Sequence, residues 1–285
     1  MLDKYSVLMS IYYKENPDFF IESIESILRQ TLKPDQIVIV KDGKLTDDLD
    51  HVIREYTIKY PTLFTIVELK NNVGLGLALN EGLTECRNEL VARMDTDDIS
   101  IGNRCELQVN EFLKNKQLSI VGSNIYEFYD NPSNIISLRI VPEKHEDILK
   151  FSRRRSPFNH PTVMYKRSSV LGCGGYHDVK RKEDLDLFGR MLNQGCITMN
   201  ISKPLLYYRS NENSFKRRKN WENCKSYIMV IYDFWKKGYS NTCDLIFVII
   251  SQMVIFLSPL WFLKILSNLF LRKKPKYLKN EEDHD

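Results

Sequence analysis

The chain has 285 residues, 43% hydrophobic and 27% charged, with a formal net charge of +4. This composition excludes a disordered or fibrous protein and suits one large α/β domain, alone or with an appendage, that buries a substantial core. The six scattered cysteines (Cys86, Cys105, Cys173, Cys196, Cys224 and Cys243) form no C-x-x-C pair, so neither a cysteine metal site nor a disulfide framework is expected, and a reducing compartment is.

In chain order, residues 5–11 form a short apolar run expected to be a buried strand. A strand this early leaves no signal peptide and keeps the start of the chain in the cytoplasm. A helix follows from Pro17, with Phe20, Ile24, Ile27 and Leu28 at helical spacing. Residues 36–40 read as a second strand ending at Lys41-Asp42-Gly43, 49–60 as a helix stopped by Pro61, 64–69 as a third strand and 74–83 as a helix. The fourth strand, 90–94, runs directly into Asp95-Thr96-Asp97-Asp98. Strands alternating with helices predict a mostly parallel sheet with right-handed crossovers, in which ligands bind at the carboxyl ends of the strands. Asp42 and Asp95 both fall at such ends. Beyond residue 103 the pattern loosens: helices are expected at Arg104–Lys114, 145–151 and Glu183–Asn193, a strand at 119–128, a loop leading to a strand at 157–163 and a turn at 172–175.

Three carboxylates within four positions repel one another unless solvent or a cation relieves them. Two phosphates bridged by a divalent metal call for a few hard oxygen ligands. An acidic, solvated turn is the plainer reading, and the strand ahead of the acids together with Asp42 turns the balance towards a metal-binding cleft. An EF-hand fails because Ile99 and Ser100 stand where that loop needs other residues. A phosphatase of the haloacid dehalogenase type fits poorly because three strands precede the acids.

Taken together, Val7-Leu-Met-Ser10 with Tyr12, Asp42-Gly43, Asn72-Val-Gly74 with Ala78 and Asn80, and Arg93-Met-Asp-Thr-Asp-Asp98 resemble, in order, the donor half of family 2 glycosyltransferases. His160-Pro-Thr-Val-Met164, Gly174-Gly-Tyr176 and Lys182-Glu-Asp-Leu-Asp-Leu187 resemble the later half, so the likeness covers roughly residues 3–215. The branch it suggests builds bacterial O-antigen and capsule repeat units. The resemblance implies the GT-A nucleotide-binding fold and a UDP-sugar donor held with Mn²⁺ or Mg²⁺. It implies that Ser10 and Tyr12 line the base pocket, Asp42 accepts a base N–H, Asp95 contacts ribose or metal and Asp97 ligates the metal. Asp98 would act behind them or toward the acceptor. Tyr12 reads equally as core, and Asp42 also as the cap of the next helix. An inverting transfer needs a base to take the acceptor's proton, and the family's Glu-Asp pair puts that role on Asp184 or Glu183. Both acids also suit the N-terminal dipole of the helix they open. His160 would contact an acceptor diphosphate or serve as a structural histidine.

Residues 245–263 hold no charge over 19 positions, close to the roughly 20 that a spanning helix needs. Basic clusters on both sides, with Ser251, Gln252, Ser258 and Pro259 inside, favour helices lying in the inner leaflet, anchored by Trp261 and Phe262. The basic runs at 153–155, 216–219 and 272–274 would face solvent, phosphates or anionic lipid. The expected layout is a donor half at 1–102, an acceptor and catalytic half at 103–220 and a membrane-associating helical segment at 221–285. The expected activity is transfer of glucose, or alternatively galactose, through a β-1,3 linkage to a lipid-diphosphate-linked N-acetylhexosamine at the cytoplasmic face of the inner membrane, with no nucleic-acid partner. A sugar nucleotidyltransferase shares the fold type, but residues 11–15 offer no glycine-rich basic loop. A non-catalytic nucleotide-binding membrane subunit is disfavoured by the intact acids Asp95, Asp97 and Asp184.

Overall fold

The structure is a computed structural model and describes residues 4–210 and 219–259. The first half alternates β1 (Tyr5–Ile11), α1 (Pro17–Leu28), β2 (Gln36–Lys41), α2 (Asp47–Lys59), β3 (Phe64–Glu68), α3 (Leu75–Glu85) and β4 (Leu90–Arg93). Its helices start where the chain supplies caps: the Asn16 side chain accepts the Asp18 and Phe19 N–H groups, and Thr46 accepts that of Leu49. Parallel pairing sets β1 between β2 and β4, with Ile11 opposite Lys41 and Leu8 opposite Arg93. The strands' alternation divides the core. Val7, Met9, Ile37 and Ile39 face α1, α2 and α4, whereas Leu8, Val38 and Val40 face α3.

The second half continues with β5 (Ile99–Ser100), α4 (Arg104–Lys114), β6 (Leu118–Phe128), β7 (Ile135–Arg139), α5 (His145–Ser152), a 3₁₀ turn (His160–Thr162), β8 (Met164–Lys166), α6 (Arg167–Gly172), α7 (Glu183–Asn193) and β9 (Ile197–Arg209). The mixed, mostly parallel sheet has the order β3-β2-β1-β4-β8-β6-β9-β5, with β7 on β6. β8 enters antiparallel beside β4. β9 is the longest strand and has no counterpart in the sequence reading, because Asn200, Ser202, Lys203 and Pro204 break its alternation. The pairing with β6 shifts register there, and Pro204 sits at the irregularity. The loop expected to lead to a strand at 157–163 contains the 3₁₀ turn and runs into β8 at Met164, and the 172–175 cluster closes α6 with Gly174 and Gly175 at positive φ.

Two further helices, α8 (Trp221–Lys236) and α9 (Thr242–Leu257), lie against α7. Leu185, Val230, Ile231, Phe234, Leu245 and Val248 form their shared core. α9 ends at Ser258, short of the 19-residue apolar run, whose last residues lie outside the described ones, as do Trp261, Phe262 and most of the two later basic runs. Among the described residues no helix is long and apolar enough to cross a membrane.

The joint between α7 and α8 is tight: a Cβ on Gly189 would come 2.0 Å from the Phe234 ring. Gly189→Ala should therefore cost about 1–3 kcal/mol of overpacking, despite a helix-propensity gain of about 1 kcal/mol. In a Phe234→Ala background the same change should be neutral or stabilising in chemical denaturation. Equal costs in both backgrounds would show that this contact does not hold the helices together.

Candidate active site

The carboxyl edge of the parallel strands carries a cleft of about 270 Å³ lined by Ser10, Tyr12, Asp42, Gly74, Asp95 and Asp97, among others. The topology explains the gathering. β1, β2 and β4 run the same way, so the residues that follow each strand emerge on one side of the sheet. Asp42 donates its backbone N–H to the Ile11 carbonyl and Met94 donates its own to that of Leu8, which extends the pairing to the cleft wall.

Asp42 is buried and fixes the loop before α3. Its carboxylate accepts the Val73 N–H at 2.7 Å, the Gly74 N–H at 3.1 Å and the Asn72 amide at 3.0 Å. It caps no helix, since Thr46 caps α2. Gly43, at φ +86°, lets this turn approach the loop so closely that a Cβ would stand 2.8 Å from the Asn72 nitrogen. Gly74 opens α3 at φ +91° with no side-chain cap. The first free N–H groups of α3 thus open on the cleft, a geometry suited to phosphate. Tyr12 stands at the mouth, 36% exposed and edge-on to Tyr13.

Asp95, Asp97 and Asp98 bring carboxylate oxygens within 4.8 Å of one another. Asp95 is ion-paired with the buried Arg93. Burial, then the Asp95 charge, pushes Asp97 up to about 6. Burial and the charges of Asp97 and Asp95 push Asp98 well above the carboxylate range. Asp98 does not line the cleft: it is fully buried, accepts the Arg209 N–H at 2.9 Å through one oxygen, and leaves Oδ2 without a hydrogen-bond partner. The site is thus short of positive charge and holds converging hard oxygens. A divalent cation fits it, with Asp97 and Asp95 the accessible ligands.

The start of α7 packs on α3, whose first residue lines the cleft. Glu183 packs on the first turn of α3, where a Cβ on Gly76 would meet its Cβ at 3.0 Å. Burial, then Asp184, pushes Glu183 up to about 7. Asn80 of α3 clamps the adjoining loop by donating to the Tyr176 carbonyl at 2.7 Å and accepting the Tyr176 N–H at 2.8 Å. His160 points a ring nitrogen at the Tyr176 hydroxyl, 2.9 Å away, and packs edge-on against Phe188. Burial, then Arg93, keeps its pKa well below the ordinary value, so it is neutral at pH 7. Its polar edge therefore serves Tyr176. Asp186, one turn in, is bound by Arg190 and His177.

Two arginines had no assigned role in the sequence reading. Arg93 is 1% exposed within β4 and reaches Asp95. Arg209, at the end of β9, donates to the Asp97 carbonyl at 2.9 Å, pairs with Glu22 and stacks on Phe19 at 3.9 Å. A signal existed for Arg93. Residues two apart on a strand share a face, so a charge in an apolar strand two positions before an acid marks a pair. Nothing local marked Arg209.

Residues 6–174 match the Glycosyl transferase family 2 domain. The chain belongs to this family. Within it, the chain is 38% identical to the Escherichia coli UDP-Gal:alpha-D-GlcNAc-diphosphoundecaprenol beta-1,3-galactosyltransferase, over 90% of this chain and 92% of that protein. It is 34% identical to the amylovoran biosynthesis glycosyltransferase AmsE of Erwinia amylovora, over 79% and 84%. Among solved structures, the mannosyltransferase PcManGT of Pyrobaculum calidifontis, in complex with GDP-Man and Mn²⁺, superposes with a TM-score of 0.61 at 15% identity, covering 90% of this chain and 70% of that one. That likeness establishes the fold, which is of the GT-A type. The family 2 chain described here is therefore a glycosyltransferase.

Two outcomes test the site's local physics. Asp42→Ala frees three donors of the loop before α3 and should cost about 1–3 kcal/mol in urea unfolding; an unchanged midpoint would mean that the loop is held otherwise. Folded Glu183 keeps its proton to about pH 7, whereas the unfolded side chain releases it near 4.5, so stability falls as pH rises through that window. Metal-free protein should melt lower at pH 8 than at pH 5.5. Glu183→Gln should remove about 1–2 kcal/mol of that drop, and a drop of the same size in the variant would place Glu183 in ordinary solvent.

Proposed function

We propose that this glycosyltransferase moves a hexose from a UDP-sugar, with inversion, to an N-acetylhexosamine carried on a polyprenyl diphosphate, forming a β-1,3 linkage during O-antigen or exopolysaccharide assembly. The observation that carries the proposal is the convergence of Asp42, Asp95 and Asp97 at one sheet edge, with Glu183 of the Glu183-Asp184 pair packed on the first turn of α3 beside that cleft. Of the two hexoses open from sequence, galactose is favoured by the printed activity of the 38% identical Escherichia coli relative. That name also supports the lipid-diphosphate acceptor, and such an acceptor would bring the protein to the cytoplasmic face of the inner membrane.

In this reading Ser10 and Tyr12 hold the uracil, and an Asp42 oxygen takes a base N–H beside its loop contacts. Asp97 and Asp95 hold Mn²⁺ or Mg²⁺, which when bound neutralises charge developing on the diphosphate leaving group. The uncapped start of α3 supplies N–H groups to the same phosphates. Asp184 takes the proton of the acceptor hydroxyl as its oxygen attacks the anomeric carbon and the C–O bond to UDP breaks. Glu183 carries a proton near neutrality, which leaves Asp184 as the base of the pair. Asp98 and Arg209 fix the acid loop from behind, and His160 positions Tyr176.

The test is a donor screen with Mn²⁺ and a synthetic N-acetylglucosamine-diphosphate-lipid, read by mass spectrometry. A gain of one hexose from UDP-galactose is expected. Asp97→Ala should abolish turnover, and Asp184→Asn should stop transfer by at least about a thousandfold while leaving UDP binding intact. Transfer by Asp184→Asn at the wild-type rate would remove the base assignment, and a gain only from UDP-glucose would reverse the choice of donor.

A further inference from the structure

A second, larger cavity of about 870 Å³ opens between α5 and the α8–α9 pair. Lys150, Arg153, Arg154 and Arg155 line it, against two carboxylates, Asp147 and Asp244. Asp244 is already committed: it accepts from Arg154 at 2.5 Å and closes the capping box of α9 with Asn241. Arg154 also lies over the Phe247 ring at 4.7 Å. Arg155 stacks on Phe151 at 4.7 Å and has no carboxylate within ion-pair distance among the described residues. Arg139 stands close enough to Arg155 to repel it. A guanidinium held in a cavity without a carboxylate partner is relieved by a bound anion, and phosphate oxygens match the guanidinium fork.

The cavity shares a wall with the acid pair of α7. Tyr227 lines it, donates its hydroxyl to the Arg154 carbonyl at 2.9 Å and receives the Lys182 ammonium over its ring at 5.2 Å. Lys182 directly precedes Glu183 and Asp184. On the opposite side Phe247, Val248 and Ile255 of α9 line the cavity, and Phe247 is more than half exposed. A separate apolar groove of about 400 Å³ lies on another face of α9, among Ile249, Ile250, Met253, Val254 and Leu257. A net cationic floor thus lies between Tyr227, which touches the residue before the acid pair, and the apolar side chains of α9.

We propose that this cavity seats the diphosphate of the lipid-linked acceptor, with Arg155 as its main cation and the prenyl chain lying along α9. The inference rests on the lipid-diphosphate acceptor read above and adds where this chain holds it. The sugar then projects past Tyr227 to Asp184.

The test is calorimetric titration of the full chain with farnesyl diphosphate, with UDP and Mn²⁺ titrated separately. Wild-type protein should bind farnesyl diphosphate. Arg155→Gln should weaken that binding tenfold or more, Arg155→Lys should recover most of it, and Phe247→Ser should weaken it severalfold. UDP affinity should stay unchanged in all three variants, which reports an intact fold. No binding by the wild type, or wild-type affinity in Arg155→Gln, would overturn the assignment. So would loss of binding to phosphatidylglycerol vesicles in Arg155→Gln and Phe247→Ser with farnesyl diphosphate affinity unaltered, because the surface would then serve the bilayer. Arg155-dependent binding in a protein that transfers no sugar to any diphosphate-linked acceptor would sink the proposed acceptor and leave a prenyl-diphosphate pocket standing.

Discussion

A single buried cation organises the active end of the sheet. Arg93 sits in β4 with 1% exposure, ion-paired to Asp95, while its Nε and Nη1 atoms have no hydrogen-bond partner in the structure. Burial alone would weaken its hold on a proton, but Asp95, with smaller contributions from Tyr176 and Asp98, overrides this and raises its pKa. A buried ion pair adds little net stability, while removal of one partner strands the other charge at a cost of several kcal/mol. What Arg93 contributes is placement. Its backbone is pinned by the Val163 carbonyl and by Arg104, which donates to the Arg93 carbonyl at 2.7 Å, so the acids that follow leave the strand in one direction. Among the described residues only Asp95 of the three aspartates has an ion pair, with Arg93, while Arg209 pairs with Glu22, so the converging oxygens of Asp97 and Asp98 leave room for a cation where a nucleotide diphosphate would lie.

From that edge the two halves of the molecule take complementary parts. The parallel half builds the cleft, with Asp42 locking the loop before α3. The later half brings α7 across the opening, held to α3 by Gly76 against Glu183 and by the Asn80 clamp on Tyr176. α8 and α9 ride on the far side of α7, and Tyr227 ties them back to the acids.

Much of this was legible in the sequence, for identifiable reasons. β1 to β4 and their helices announce themselves because buried parallel strands are continuous apolar runs and α1 and α2 carry side-chain caps. Asp42 and Asp95 could be placed at strand ends by counting alone. The later half was harder. Pro204 and the polar residues of β9 break strand periodicity, and the strand exists because β6 and β5 flank it. The 19-residue apolar run suggested membrane contact, yet part of its apolarity is used internally, where Leu245 and Val248 pack on α8. Arg209 could not be found from sequence, since its partners Glu22, Asp97 and Asp98 lie more than a hundred positions away. His160 read equally as ligand or scaffold, and only its geometry with Tyr176 and Phe188 shows what its ring touches.

The most direct test of the cation-deficient acid cluster is the thermal stability of the protein with and without Mn²⁺, for the wild type and for Asp97→Asn. At a hundredfold excess over its dissociation constant a ligand adds about 2.7 kcal/mol, so Mn²⁺ should raise the wild-type Tm by about 5 °C or more. The rise should be largely absent in Asp97→Asn, which removes a ligand and the charge together. A wild-type Tm indifferent to millimolar Mn²⁺, or an equal rise in the variant, would contradict the placement of the metal on these acids.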